Sequence, residues 1–462
     1  MSPLVLRDVE IDGQRVDIRV DDDRVTSIGS GLATAGAEVI DGRGGALLPG
    51  LHDHHVHLLA TAAATQSVRL DSAHVLTRAE LERELRAAAS RTPPGEWVRT
   101  VGYHESIAGD LDRVDLDALL PDRPVRVQHR SGALWMVNSR GLAELGAFDD
   151  MPGVERDATA TPTGRFWRAD GWLAHRWPAP TLDLAALGRT LLAYGVTGVT
   201  DATPFATLEG PGMLADAVRD GRLGLRVVVT GGPELTAESF DPAVETGPVK
   251  LLLADHDLPN LPTMTGWVEG AHAVGRPVAV HCVTADALVV TLEAIRQAGP
   301  APGDRIEHGA VMPQWLIDDV VALRLRVVTQ PGLVAARGDD YVRDVDPHDV
   351  DDLWRCGSLI DAGVPVAAGT DAPYGDLDPW RAVRAAIERR APSGRVVGEG
   401  ERLTAERALA LFLSPPLDPG GAIRRVRVGA AADLCLLHVP LADALVDPRA
   451  MCVRATIVRG RQ

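Results

Sequence analysis

The sequence is poor in lysine. Of its 47 basic residues all but one are arginine, and Lys250 stands alone. Asparagine occurs only at Asn138 and Asn260. Cysteine is limited to Cys282, Cys356, Cys435 and Cys452, scattered and without a Cys-x-x-Cys pair. That pattern argues against a disulfide scaffold or a cysteine-rich zinc site. No apolar run approaches the roughly 18 residues of a spanning helix, so no membrane partner is expected. The N-terminus, MSPLVLRDVEIDGQRVDIRV, alternates apolar and charged residues and lacks the apolar stretch of a secretory signal. A soluble, cytoplasmic chain is the expectation.

Positive charge is also in the minority. Lys plus Arg is 47 against 64 Asp plus Glu, a formal charge of −17. This weighs against a nucleic-acid or anionic-membrane partner and leaves a small-molecule substrate as the expected one. A hydrophobic fraction of 45% and a charged fraction of 24% are ordinary for globular proteins and exclude a disordered or fibrous chain. The length of 462 residues suggests roughly two to three domains, or one large barrel with an appendage. A homodimer stays open. The lysine count carries more information. Ala, Gly, Arg, Val and Asp are abundant, as a GC-rich coding sequence produces, and a surface lysine drifts to arginine at little cost. A lysine that has not drifted is a candidate for chemistry arginine cannot do.

Both ends read as short strands with turns. Residues 1–48 contain LVLRDVEI, a turn at Asp12-Gly13, QRVDIRV, an acidic turn at 21–23 and RVTSIG. The C-terminal VRVGAAADLCLLHV and CVRATIVRGRQ read alike, so 1–48 and 425–462 are expected to pair into one composite β domain. Between them, apolar runs alternate with helical segments. Eight candidate strands fall at 51–58, 195–201, 224–230, 248–255, 277–281, 305–308, 326–330 and 364–371. Helical segments at 213–220, 266–274, 285–298, 314–323 and 353–362 separate them. Eight alternating units predict an α/β chain with a (β/α)8 barrel over 49–424. The first crossover is far too long. With a helix at 78–90, strand-like runs at 97–103 and 125–129 and a helix near 182–194, about 60–190 reads as an insertion over the barrel mouth.

Barrel sites form where strands end at the C-terminal face. The candidate strand ends carry His55 and His57, Lys250, His281, His308 and Asp371. His-Val-His presents both imidazoles on one side of a strand, because side chains alternate with period two. Imidazole and carboxylate ligands suit zinc and other divalent first-row metals. A lone His-x-His, or His281 after the run VAV, is ordinarily incidental. Their joint occurrence at successive strand ends points to a metal site.

PGLHDHHVHL at 49–58 resembles the opening motif of the amidohydrolase superfamily, and VAVH, RIEH and GTDAP follow in that family's order. WVRTVGYHES, LDALLPDRPVRVQHRSG, MVNSRGL, GPVKLLLAD, GTDAPYGDLDPW, RLTAERALALF and VGAAADLCLL resemble its YtcJ-like branch, which includes N-substituted formamide deformylases. The resemblance spans nearly the whole chain. It implies a distorted (β/α)8 TIM barrel with a composite β domain from both termini. It also implies two divalent metals, zinc being the expected one, bridged by a lysine carboxylated on its side-chain nitrogen, which maps onto Lys250. The single lysine agrees, since only a neutral primary amine adds CO2 and arginine stays protonated. His55, His57 and Asp371 are then implied at the more buried metal, His281 and His308 at the other, and the Lys250 carbamate at both. Such metals lie about 3.5–4 Å apart with a bridging hydroxide.

The sequence departs from the family in places. His52 and His54 flank the His-Val-His pair, Ala133 follows RSG where the family often has histidine, and His256 follows Asp255. These differences bear on substrate contacts more than on metals. His52 is expected to point away from the metals, His256 to be a solvated loop residue, and Cys282 to pack away from His281. Asp53 is expected to support a ligand histidine or to cap a turn.

The implied reaction is hydrolysis of an amide or related C–N bond in a small molecule. The bridging hydroxide attacks, Asp371 serves as general base and then acid, and the oxyanion forms against the metal of His281 and His308. His104, Arg130, Arg165, Trp167 and Tyr374 are candidate substrate-pocket residues. Three other readings remain. A mononuclear deaminase of the same superfamily resembles an HxxE pattern, where this chain reads His281-Cys282-Val283-Thr284. An inactive binding homologue conflicts with the complete ligand set. A metal-dependent isomerase or cyclase is the third.

Overall fold

The computed structural model describes residues 3–70, 75–146, 151, 153–174, 176–177, 182–205, 207–235 and 240–462. Compactness divides it into two units, 59–183 and the remainder of the chain.

In the larger unit, Leu51–Val56, Val196–Asp201, Arg226–Gly231, Glu245–Leu252, Val278–Cys282, Arg305–His308, Arg326–Thr329 and Val366–Ala368 form an eight-stranded sheet in chain order. Every neighbouring pair is parallel. Each strand overlaps its expected run, because parallel strands covered on both faces read as unbroken apolar stretches. The last strand returns to the first. Asp371 N donates to His55 O at 2.7 Å, and His57 N donates to Ala372 O at 2.9 Å. These two bonds close the barrel.

The crossover helices follow the local signals. Ala285–Ala298 begins where the Thr284 side chain accepts from Ala287 N, and it buries Leu288, Leu292 and Ile295 on one stripe. Glu209–Arg219, Leu261–Ala273 and Gln314–Ala322 occupy other expected segments. Among the helices that went unread are Gly332–Asp344 and Pro379–Glu388. The first opens on Pro-Gly, which reads as a turn. The second opens with proline at its first position, where the missing N–H costs nothing.

The termini supply two further sheets. Leu4–Ile11, Gln14–Asp21, Arg24–Gly29 and Glu38–Asp41 form one. Leu47–Pro49 pairs with the C-terminal strand Leu434–Leu437, which pairs with Val453–Ile457. Leu4, Leu6 and Ile18 share a core with Leu434, Leu436 and Ile457.

The unit 59–183 has its own six-stranded sheet. Val98–Tyr103 and Val125–His129 were legible; Val68–Arg69, Leu134–Val137, Val154–Arg156 and Pro162–Trp167 were not. Among the described residues no helix is long and apolar enough to cross a membrane.

Candidate metal centre

The first barrel strand divides its histidines by phase. His52 and His54 project to one side, where His52 Nε2 meets Thr200 Oγ1 and His54 Nε2 meets Ser414 Oγ, both at 2.9 Å. Burial pushes both imidazoles well below the usual histidine range. His55 and His57 project to the other side.

The seam between first and last strands brings Asp371 to them. Asp53 Oδ1 accepts from Thr370 N at 3.0 Å and from His55 N at 3.1 Å, and its Oδ2 accepts from Thr370 Oγ1 at 2.5 Å. Asp53 thus supports the site through backbone, not through an imidazole. Gly369 permits the approach: a Cβ there would lie 2.4 Å from His55 Cβ and 2.5 Å from its backbone nitrogen. Asp371 and His308 both adopt left-handed backbone, with φ of 54° and 73°. Such conformations cost of order 1–3 kcal/mol for non-glycine residues and cluster at functional sites.

His55, His57 and Asp371 offer ligand atoms that all lie within 4.8 Å of one another. Asp371 Oδ1 is 3.4 Å from His55 Nε2 and 3.2 Å from His57 Nε2. The His308 ring lies 4.7 Å from that of His55 and 4.4 Å from that of His281. Lys250 is buried at the end of the fourth strand, and its Nζ has no hydrogen-bond partner. Burial lowers its pKa, which favours the neutral amine.

The surrounding hydrogen bonds set the donor chemistry. His55 Nδ1 lies 2.5 Å from Glu307 Oε2, and Glu307 Oε1 accepts from Arg305 Nε at 2.6 Å. Glu307 is fully buried; burial alone would raise its pKa, yet the Arg305 guanidinium and its other neighbours hold it ionised, well below the usual range. An ionised carboxylate can only accept, so the network assigns the proton to His55 Nδ1. Burial pushes the His55 pKa down to about 3, so its ring is neutral and Nε2 carries a lone pair. That Nε2 is buried with no hydrogen-bond partner and faces a carboxylate oxygen. Two acceptors face each other with no proton between them. A cation fits there. His308 repeats the arrangement: its Nδ1 lies 2.6 Å from Gln330 Oε1, whose amide is oriented by Nε2 donating to Val328 O at 3.3 Å. His57 Nδ1 meets Thr203 Oγ1 at 3.0 Å. Imidazoles anchored at Nδ1 and open at Nε2 are the form in which histidine binds metals. Glu307, Gln330 and Thr203 were not singled out by sequence reasoning. Glu307 was visible only as the third letter of RIEH.

Of the substrate-pocket candidates, Tyr374 stands edge-on to His57 with ring centroids 5.6 Å apart. His104, Arg130, Arg165 and Trp167 belong to the unit 59–183. There Arg165 is paired with Glu155 and Asp110, and Trp167 Nε1 donates to Glu155 Oε2. The Arg130 amide donates to Tyr103 O. His104 forms a second group with Glu105 and His129. Its chemistry differs from that of the first. His104 Nδ1 accepts from Ser106 N and His129 Nδ1 from Ser131 N, which puts the ring protons on Nε2. His129 Nε2 donates to Glu105 Oε2 at 3.0 Å, and His104 Nε2 lies 3.3 Å from Glu105 Oε1. This is a hydrogen-bonded clamp, with no lone pair at Nε2 left for a metal. His256 is exposed, and Cys282 packs away from His281 against Thr291, with Sγ and Oγ1 3.3 Å apart.

The chain is 24% identical to the N-substituted formamide deformylase of Arthrobacter pascens, over 93% of this chain and 90% of that protein. It is also 24% identical to the YtcJ protein of Bacillus subtilis (strain 168), over 81% of this chain and 80% of that one. The crystal structure of an uncharacterized metal-dependent hydrolase from Pyrococcus horikoshii OT3 shares the fold, with a TM-score of 0.74 at 20% identity over 99% of both chains. A model of the amidohydrolase family matches residues 38–462. The chain belongs to the amidohydrolase family, in its YtcJ-like branch.

Proposed function

We propose that the protein is a metal-dependent hydrolase of an amide or related C–N bond in a small molecule. One observation carries the reading: His55 Nε2, His57 Nε2 and Asp371 Oδ1 converge within 4.8 Å, and the His55 lone pair faces the carboxylate. His55, His57 and Asp371 would hold one divalent cation, His281 and His308 a second, and Lys250 as a carbamate would touch both. Cations bound there would supply Lewis acidity for attack by water on a carbonyl.

The chain's own residues supply the rest. Burial would raise the Asp371 pKa, but the adjacent His57, His55 and His308 outweigh it and hold the carboxylate well below its usual range. Asp371 therefore stands ready to accept a proton from water and to return it to the leaving nitrogen. The Asp371 N to His55 O bond fixes its backbone at the seam, and the short side chain limits how far the accepting oxygen can move. A neutral Lys250 amine would add CO2 and lose one proton, giving a carbamate anion in place of the unpartnered nitrogen. The Tyr374 ring beside His57 would form part of the substrate wall. The relationship to the formamide deformylase supports an N-substituted amide as substrate.

Asp371→Asn tests the reading. The amide oxygen can still ligate but cannot take a proton. Metal content should stay near wild type while turnover on the best substrate of a formamide, amide and lactam screen falls by about 10²–10⁴-fold. An Asn variant within about threefold of wild type would move the base elsewhere.

A further inference from the structure

Four arginines are buried among the described residues, namely Arg126, Arg276, Arg305 and Arg389. Three have their charge answered. Arg276 donates to the carbonyls of Gly247, Gly232, Leu235 and Pro248. Arg389 donates to those of Val397, Trp354 and Leu353. Arg305 is paired with Glu307. Arg126 differs. It is 8% exposed, and among the described residues its guanidinium makes no hydrogen bond and no ion pair.

Its neighbours are aromatic. The guanidinium carbon lies 4.1 Å from the Trp177 ring centroid and 5.6 Å from that of Trp135. Trp177 Nε1 is itself buried without a hydrogen-bond partner. The strand register sets Arg99, a second cation, beside Arg126. Asp170, the carboxylate of this aromatic cluster, accepts from Trp135 Nε1 at 2.8 Å. Burial, with Arg99 adding to it, pushes the Arg126 pKa down to about 9. Cation–π contacts contribute about 0.5–2 kcal/mol each, less than the several kcal/mol that desolvating a charge costs. The cluster offers a guanidinium and an indole N–H without hydrogen-bond partners, set among flat apolar rings.

We propose that Arg126, Trp135 and Trp177 form a binding site for the carboxylate of a small organic acid with a flat apolar body. The guanidinium fork matches the two carboxylate oxygens. The indole faces match the body. Arg99 adds long-range attraction without closing the site. A multiply charged, strongly hydrated phosphate suits such walls poorly. The site lies within the unit 59–183 and uses none of the metal-centre residues.

Titration calorimetry on the full-length, metal-loaded protein tests this, with benzoate as probe and benzamide and inorganic phosphate as comparisons. Benzoate should bind saturably, and benzamide and phosphate at least about tenfold more weakly. Arg126→Gln should weaken benzoate at least about tenfold, with Arg126→Lys between, since an ammonium keeps the charge but loses the fork. Benzoate that binds equally well to wild type and Arg126→Gln sits elsewhere, at the metals for example, and overturns the proposal. So does phosphate binding as tightly as benzoate. If Arg126→Gln does not fold, a crystal of the native protein with 4-bromobenzoate decides. A bromine peak against Trp177 supports the site, and bromine only elsewhere refutes it.

Discussion

Glu307→Gln is nearly isosteric, yet the structure makes it severe. Glu307 faces two donors, Arg305 Nε at 2.6 Å and His55 Nδ1 at 2.5 Å. A carboxylate accepts from both, whereas an amide has one oxygen and one NH2. If the oxygen turns to Arg305, the NH2 meets His55 Nδ1, and the ring proton moves to Nε2, where it blocks the ligand lone pair. If the oxygen turns to His55, the NH2 meets Arg305. In either orientation Arg305, 2% exposed, loses its counter-charge. Removing one member of a buried pair costs about 3–5 kcal/mol, and removing an outer-shell partner of a metal-binding histidine costs about 10–100-fold in metal affinity. Denaturation curves read the first effect, and metal content after dialysis against graded chelator reads the second. Arg305→Met added to Glu307→Gln removes the stranded cation, so most of the stability should return. Metal retention should stay reduced, because a neutral amide polarises His55 less than a carboxylate. A Glu307→Gln variant with unchanged denaturation and unchanged metal retention would refute the reasoning.

Lys250→Arg should lose at least one metal and nearly all activity, because a guanidinium cannot add CO2 and sets a cation beside the metals; elemental analysis and turnover check it, and partial rescue of Lys250→Ala by acetate would support the carbamate. His52 and His54 are held neutral by burial. Below about pH 6.5 the unfolded chain binds more protons than the native one, so stability falls as pH drops from about 7 to 5. Replacing both by Gln should flatten that slope in melting curves; an unaltered slope would assign it to other groups. Gly369→Ala should force the last strand off His55, lowering metal content together with thermal stability, and a variant with native metal content would show that the seam can yield.

The barrel, and the strand ends that bring His55, His57 and Asp371 together, were legible because the strands are apolar runs and several end in a chemically conspicuous residue. The partners of those residues were not. Alternation along Arg305–His308 places Arg305 and Glu307 on one face and His308 on the other, so strand phase alone cannot send both Glu307 and His308 into the site. The left-handed φ of His308 turns it back, and no sequence pattern announces it. Asp371 is turned in the same way. In the unit 59–183, Leu134–Val137 and Pro162–Trp167 were overlooked because RSGALW and TPTGRFW place serine, glycine and proline where turns are read. Arg126 sat unnoticed in VRVQH, since a sequence does not say whether an arginine has found an anion.

The seam has a consequence for assembly. Asp53 and Thr370, which bind each other across it, are 317 residues apart in sequence. One edge of the metal site is therefore synthesised early and the other late, and neither is a site alone. An ion shared by His55, His57 and Asp371 would act as a clasp on this long loop, opposing the entropy that favours its opening. Loading with metal and locking of the barrel then become a single equilibrium. Stripping the ion should be felt first as faster hydrogen exchange at the Asp371 and His57 amides, before the rest of the barrel loosens.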